Sequence, residues 1–181
     1  MRRKAVVVAL CMAVAAFTMG QTECQPVWPP APFDATGAYE GTWQGQTTQD
    51  PEEKEDPQVI VACPLSMTLT QGTQPGLLGS YPVQGTVEVD YSCLELPEWV
   101  GEIPPSTTNV SGGLTADGTL TLFSGGCGTG VCVLLTLAGE GVDGDEDGAM
   151  DTCSGAWSFI IWLKDVPPFG VSGTFEVAAV D

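Results

Sequence analysis

The stretch from residue 81 to residue 93 constrains the fold more than any other part of this sequence. Apolar or small side chains alternate with polar ones along all of it, so that one face carries Tyr81, Val83, Gly85, Val87, Val89, Tyr91 and Cys93. Strict period-two alternation over this length predicts a long antiparallel strand with one buried face. The chain is therefore expected to be all-β.

A short pattern inside this strand recurs elsewhere in the chain: apolar residue, any residue, glycine, small residue, apolar residue. Its four copies place the glycine at Gly41, Gly85, Gly155 and Gly173. A glycine on the buried face of a strand marks a bend, a bulge or a close approach of backbone. Strongly coiled sheets and small barrels need such positions at their corners.

Seven further strands are expected around this one. Turn residues and alternation place the full set at about 39–45, 60–71, 81–93, 109–114, 119–125, 131–139, 154–164 and 170–180. Asp117-Gly118 is a strong hairpin signal, and a long loop is expected at 94–108. Eight strands joined mainly by short turns predict a single antiparallel up-and-down β-barrel. A β-sandwich is the alternative architecture.

The apolar faces of these strands define the expected core. Its members are Tyr81, Val83, Val87, Val89, Leu120, Leu122, Val133, Leu135, Trp157, Phe159, Phe175 and Val177.

The first 20 residues are excluded from the predicted fold. Arg2, Arg3 and Lys4 precede a short apolar run, and small residues follow it at plausible cleavage positions. This layout is typical of a secretory signal peptide, and the run is too short for a membrane span. We therefore expect a bacterial exported protein with a signal peptide at 1–20, a proline-rich leader at 21–37 and a barrel domain at 38–181. No later stretch has the length of a transmembrane helix.

The remaining chain is strongly acidic. The signal segment holds three of the five basic residues and none of the 23 acidic ones, which leaves a formal charge of 2 − 23 = −21. Such a surface disfavours nucleic acid and anionic membranes and attracts cations. The chain contains no histidine, so histidine-dependent triads and the commonest zinc sites are excluded. We expect no enzyme; a carboxylate-based hydrolase is the remaining catalytic alternative.

Six cysteines follow the signal segment, and an even number in an exported domain predicts three disulfides. Strand phase brings Cys63 opposite Cys93 when the chain turns near Gly76. Cys127 and Cys132 flank a short hairpin tip. Pairing of the remaining two, Cys24 with Cys153, follows by elimination, and a lipid anchor on Cys24 is the alternative for that residue.

Gly41-Thr42-Trp43 at the start of the first strand resembles the G-x-W start of lipocalins, avidins and related calycin barrels. The resemblance implies a barrel that can hold a small ligand, with a basic residue laid over the tryptophan, for which Lys164 is the candidate. Independently, inward-facing side chains predict where a ligand cavity would lie: Trp43, Met67, Tyr81, Val83 and Tyr91.

The run from residue 143 to 151 is the candidate ion site. It places carboxylates at positions 1, 3, 5 and 9 of a loop and Gly148 at position 6, so that alternate oxygens can converge on one calcium ion. The expected ligands are Asp143, Asp145, Asp147, the backbone carbonyl of Ala149, and Asp151. The spacing resembles EF-hand loops and, more closely, thrombospondin type 3 repeats. An acidic hairpin tip that binds no ion is the alternative.

Two functions are therefore expected of a protein that is secreted, periplasmic or on the cell surface. The first is binding of a small apolar ligand in the barrel mouth. The alternative is a calcium-stabilised extracellular surface or interaction module that contacts protein or polysaccharide.

Overall fold

The fold is a closed eight-stranded antiparallel β-barrel, seen in a computed structural model that describes residues 28–47, 59–76, 78–90, 92–93, 106–127, 131–163 and 168–180. Each strand pairs with the next along the chain, and β8 pairs with β1 to close the sheet. The strands are β1 (Gly37–Thr47), β2 (Val59–Gln71), β3 (Tyr81–Val89), β4 (Ser106–Leu114), β5 (Thr119–Cys127), β6 (Val131–Val142), β7 (Thr152–Leu163) and β8 (Phe169–Ala179). The barrel, and not the sandwich, is thus confirmed.

The two ends of the barrel differ. One end, called here the leader end, carries the turns at 72–80, 115–118 and 143–151 together with the N-terminal segment 28–36. At the opposite end, called the loop end, β1, β3, β5 and β7 finish. Both observed disulfides belong to the loop end: Cys63 near the start of β2 is bonded to Cys93, and Cys127 to Cys132, with Cα–Cα distances of 6.0 and 4.0 Å. Both predicted pairings are confirmed.

The core fills the barrel with side chains from the inward face of every strand. At its centre the rings of Trp43 and Trp157 meet edge to face, with centroids 4.3 Å apart. Eleven of the twelve predicted core residues are buried. Aromatic and branched side chains from facing strands therefore supply the hydrophobic stabilisation that a barrel of this size requires.

The four glycines of the repeated pattern all lie where neighbouring strands approach closely. A Cβ atom added at Gly85 would overlap the carbonyl oxygen of Thr68, and one added at Gly173 would overlap that of Gln44. Gly41 and Gly155 face the backbone of β8 and β6 in the same way. The predicted role of the pattern as close strand approach is confirmed.

A fifth copy of the pattern lies in β4, where Val110 and Leu114 flank Gly112 and Gly113. A Cβ atom at Gly112 would overlap the carbonyl oxygen of Thr121 on β5. This copy has the same residue pattern but is not among the four predicted ones. Such glycines therefore occur in β1, β3, β4, β7 and β8.

Strand β3 ends at Val89, four residues earlier than its alternation predicted. The carboxylate of Asp90 accepts the backbone N–H of Ser92 at 2.8 Å, which turns the chain out of the sheet. The Ser92 hydroxyl and this backbone bond also lower the pKa of Asp90. The predicted loop at 94–108 was likewise too long, because β4 begins at Ser106.

Val133 was predicted to be in the core, and this is wrong: 37% of it is exposed. Its position in β6 has the inward phase of Leu135 and Leu137, but it lies at the loop end, opposite Gly126. No atom lies within 4 Å of a Cβ placed on Gly126. Val133 is therefore uncovered because its neighbour on β5 has no side chain.

The expected Cys24–Cys153 bridge is not observed. Cys153 is a free, fully buried thiol, and Cys24 lies outside the described residues. Pairing by elimination ignored the phase of β7, which directs Cys153 inward beside the leader end, in line with Gly155 and Trp157. Burial raises the pKa of this thiol from 9.0 to about 12.

Among the described residues there is no helix, and so none that could cross a membrane.

The glycine contacts predict a large difference between two glycine-to-alanine substitutions. Gly85→Ala should lower the free energy of unfolding by about 2–4 kcal/mol, because its methyl group has to displace the Thr68 backbone. Gly126→Ala, where the space is open, should change it by less than about 0.5 kcal/mol. Urea denaturation measures both. Equal effects would contradict the close-approach role.

Cys153 predicts a loss of stability at alkaline pH. The folded-state pKa is raised, so the native protein keeps a proton that the unfolded chain loses, and stability falls as pH rises from 9 towards 12. The wild type should lose about 1.4 kcal/mol more per pH unit in this range than Cys153→Ala. Denaturation at several pH values, with both disulfides intact, compares the slopes, so that any cavity cost of the substitution cancels. Parallel slopes would contradict the prediction.

Candidate metal centre

The acidic loop at 143–151 is the connection between β6 and β7 at the leader end. The N–H of Asp151 donates to the carbonyl of Val142 at 2.8 Å and closes the base of the loop. Gly148 has φ +90°, which confirms the sharp turn predicted at this glycine, and Glu146 is also left-handed at φ 63°. The backbone therefore curls back on itself and brings Asp143, Asp145 and Asp151 close together.

Three carboxylates form one cluster in the loop. Single oxygen atoms of Asp143, Asp145 and Asp151 all lie within 4.8 Å of one another. Asp143 and Asp151 are partly buried, whereas Asp145 is exposed. With one negative charge each and no cation among the described residues of the loop, the three groups repel one another in the absence of a counterion.

Backbone N–H groups of the same loop bind all three of these carboxylates, and Oδ1 of Asp145 accepts the N–H of Asp147 at 3.2 Å. Oδ2 of Asp143 accepts the N–H of Gly148 at 2.9 Å. Oδ2 of Asp151 accepts the N–H groups of Gly144 and Asp145. The other oxygen of Asp143, Oδ1, is buried and has no hydrogen-bond partner. A buried carboxylate oxygen without a hydrogen-bond partner destabilises the folded state, and Oδ1 of Asp143 is such an atom.

Of the other two predicted ligands, Asp147 does not belong to the three-carboxylate cluster, and the backbone carbonyl of Ala149 stays a prediction. Oδ1 of Asp147 accepts the N–H of Ala149 at 2.8 Å. Ala149 forms a parallel bridge with Asp34 of the leader. The structure thus brings together Asp143, Asp145 and Asp151, and uses Asp147 and Ala149 to shape the far side of the loop.

The leader is fastened directly to this loop. The N–H of Asp34 donates to the carbonyl of Gly148 at 2.8 Å, and the N–H of Met150 donates to the carbonyl of Asp34 at 2.9 Å. Beside these bonds, the Phe33 ring enters the barrel end and covers Gly141 together with the Met150 sulfur. The docking of the leader and the shape of the loop therefore depend on one another.

Side chains from β2 and β3 fix the rest of the leader. The Gln71 side chain accepts the N–H of Ala35 at 2.9 Å and donates to the carbonyl of Phe33 at 3.3 Å. The hydroxyl of Tyr81 donates to the carbonyl of Pro29 at 3.1 Å. Residues 28–36 consequently cover the leader end.

The predicted cavity residues lie inside the barrel, except Tyr91, which is outside the described residues. Trp43, Met67, Tyr81 and Val83 are all buried in the core cluster. Trp157 Nε1 donates to the carbonyl of Gln44 at 3.2 Å, whereas Trp43 Nε1 is buried without a partner. Lys164, the residue that the calycin resemblance would place over Trp43, also falls outside the described residues.

Comparisons with known proteins found no match to any protein family, curated protein or solved structure. The barrel topology agrees with the resemblance to calycins, but no family match supports a lipocalin or a calcium-loop family. Function can therefore be inferred only from the geometry of this chain.

Proposed function

We propose that this protein is a calcium-stabilised extracellular module whose ion is held by Asp143, Asp145 and Asp151. The observation that carries the proposal is the buried, unpartnered Oδ1 of Asp143 beside two other carboxylates. A cation supplies the partner that this oxygen lacks and removes the repulsion among the three charges.

Calcium fits the donor set better than other common ions. Every candidate ligand is a carboxylate oxygen, which hard cations prefer, and the described residues of the loop offer no nitrogen or sulfur ligand. Calcium accepts six to eight oxygens in flexible geometry, so water completes the shell around an exposed group such as Asp145. A single loop without flanking helices supports an affinity of roughly 10⁻⁴–10⁻³ M, typical of extracellular modules.

The proposed consequence of binding is structural. The ion would hold the loop in the conformation that bonds to Asp34, and thereby keep the leader over the barrel end. The two observed disulfides are consistent with an oxidising compartment. We therefore place the protein outside the cytoplasm, secreted, periplasmic or at the cell surface, where calcium is present at the concentrations required.

The calcium proposal predicts different effects for two substitutions that each remove one charge. Asp145→Asn should weaken calcium binding at least about ten-fold, since it removes a cluster carboxylate. Asp147→Asn keeps the oxygen that accepts the Ala149 N–H and lies outside the cluster. Its effect should be only about two- to three-fold at 0.15 M salt, because screening weakens a charge that does not touch the ion. Isothermal calorimetry with calcium measures both.

Thermal unfolding provides a second measurement for the same pair. Saturating calcium should raise the melting temperature of the wild type and of Asp147→Asn, and chelator should reverse the increase. Absence of heat at millimolar calcium, or an equal loss in the two variants, would rule out the site.

We propose as a second candidate that the barrel interior binds a small apolar ligand bearing a hydrogen-bond acceptor. The observation that favours it is the Trp43 N–H, which is buried and unpartnered in the middle of the predicted ligand cavity. An acceptor atom of a ligand would satisfy this donor, and because side chains fill the barrel, Met67 and Val83 would have to repack around its apolar body.

Nile red, a neutral apolar dye with a carbonyl group, tests the second candidate. The dye should gain fluorescence on binding and raise the melting temperature. Trp43→Phe keeps an aromatic ring and removes the donor, so it should weaken dye binding about five- to ten-fold. A dye that neither fluoresces nor shifts the melting temperature of the wild type would eliminate this candidate without affecting the calcium proposal.

A further inference from the structure

The leader crosses the barrel end between two anchors. On β2, the side chain of Gln71 accepts the N–H of Ala35 and donates to the carbonyl of Phe33. On the far side, the backbone of Asp34 exchanges two hydrogen bonds with the acidic loop. Between these anchors, Phe33 and Ala35 are only 7% and 0% exposed. The leader is therefore a cover that completes the core and that is held partly by the acidic loop.

Both loop residues that bond to the leader are also connected to the proposed calcium ligands. The carbonyl of Gly148 accepts the N–H of Asp34, and the N–H of Gly148 donates to Oδ2 of Asp143. Met150 donates its N–H to the carbonyl of Asp34 and is followed directly by Asp151. A shift in the positions of the ligands therefore moves the same peptide groups that hold the leader.

Electrostatic repulsion opposes docking of the leader when no cation is bound. Docking brings the carboxylate of Asp34 to a loop in which five of the nine residues are acidic. Burial is the main cause that raises the pKa of Tyr39 to about 12, and the charges of Asp34 and Asp151 add to it, so both carboxylates lie close to one phenol. A calcium ion in the loop would offset this repulsion and favour the docked leader.

We propose that calcium closes the leader end of the barrel by controlling the docking of the leader. Without calcium, repulsion in the loop weakens the bonds to Asp34, and the leader detaches while the barrel stays folded. Calcium binding restores the loop and the leader docks again. This regulation rests on the calcium site proposed above. Because coupling between two binding events is reciprocal, a docked leader also strengthens calcium binding.

Opening of the leader uncovers one limited part of the core. The ring of Phe33 lies against Gly141, which is the partner of Cys153 across β6 and β7. Detachment therefore exposes apolar surface next to the buried thiol of Cys153. The sheet stays closed, since each of the eight strands still pairs with two others. Calcium concentration thus controls whether this end of the core is accessible to another molecule.

Hydrogen exchange followed by NMR tests whether the leader moves by itself. The N–H groups of Asp34, Ala35 and Met150 donate to bonds that form on docking. At constant ionic strength they should exchange at least about ten-fold faster in chelator than in about 10 mM calcium. Amides in the middle of β5 and β6 should stay protected in both conditions. Joint loss of protection in the leader and in these strands would overturn the inference.

Two glutamine substitutions test the reciprocal effect on calcium binding. Gln71→Ala removes two hydrogen bonds of the leader and changes no residue of the acidic loop. Calorimetry should therefore show a calcium affinity about three- to ten-fold weaker than that of the wild type. Gln84→Ala, at an exposed position on β3, should leave the affinity unchanged. Equal effects of the two substitutions, or no effect of Gln71→Ala, would contradict coupling through the leader.

Asp34→Asn should act in the opposite direction. Oδ1 of Asp34 accepts the N–H of Thr36 at 2.9 Å, and the new side-chain amide keeps an oxygen for this bond. The backbone bonds to the acidic loop are also kept, but one negative charge is removed from the junction. In chelator, the leader should therefore exchange about three- to ten-fold more slowly than in the wild type. Unchanged or faster exchange would overturn the inference.

Two results separate a failure of the ion site from a failure of leader control. If calorimetry of the wild type detects no calcium binding, both the ion site and its control of the leader are wrong. If calcium binds but does not change the exchange of Asp34, Ala35 and Met150, the ion site stands and only the control of the leader is overturned.

Discussion

The close approach of strand backbones at inward-facing glycines is the constraint on which the rest of this barrel depends. At Gly41, Gly155 and Gly173, the space that a side chain would occupy is taken by the backbone of the neighbouring strand. Eight strands close into a small barrel only if they tilt and coil strongly, and side chains at these positions would hold neighbouring strands apart. The hydrophobic core then fills the interior that this coiling leaves.

The glycines also determine where aromatic side chains are needed. A glycine leaves backbone uncovered on the buried face, and an aromatic ring from an adjacent element covers it. Trp157 lies across Gly173, Phe175 lies over Gly139, and Phe33 lies over Gly141. The last of these rings comes from the leader, which explains why a segment outside the barrel belongs to its core. The acidic loop is bonded to that same segment, so its conformation is linked to core packing through Phe33 and Met150.

Much of this architecture could be predicted from sequence because each strand shows an alternation of apolar and polar residues. Alternation located every strand, and strand phase paired Cys63 with Cys93 correctly. Periodicity failed where a single side chain or neighbour decides the outcome. The Asp90 carboxylate ends β3 by accepting a hydrogen bond from the Ser92 N–H. Val133 is exposed because Gly126, its partner on β5, has no side chain.

At the candidate sites, too, some features could be predicted from local sequence and others depend on contacts between distant residues. The spacing of acidic residues predicted a loop that gathers carboxylates, but only the folded backbone shows that Asp147 is not part of the cluster of Asp143, Asp145 and Asp151. Nothing in the sequence signalled the hydrogen bond between Gln44 and Thr174, which are ordinary outward-facing strand residues 130 positions apart. They meet only because β8 closes the barrel against β1, and closure cannot be read from either strand alone.

Barrel closure therefore has two effects that local sequence does not reveal. It leaves none of the eight described strands with a free edge, so these strands present no backbone template for pairing with other chains. It also places two different surface features apart. The acidic loop lies at the leader end, whereas an almost uncharged groove runs along the wall beside β1 and β8. A strong negative charge keeps the molecule soluble and attracts cations to the loop. Because that charge repels anions over the whole surface, the barrel wall disfavours anionic ligands even where its own side chains are uncharged.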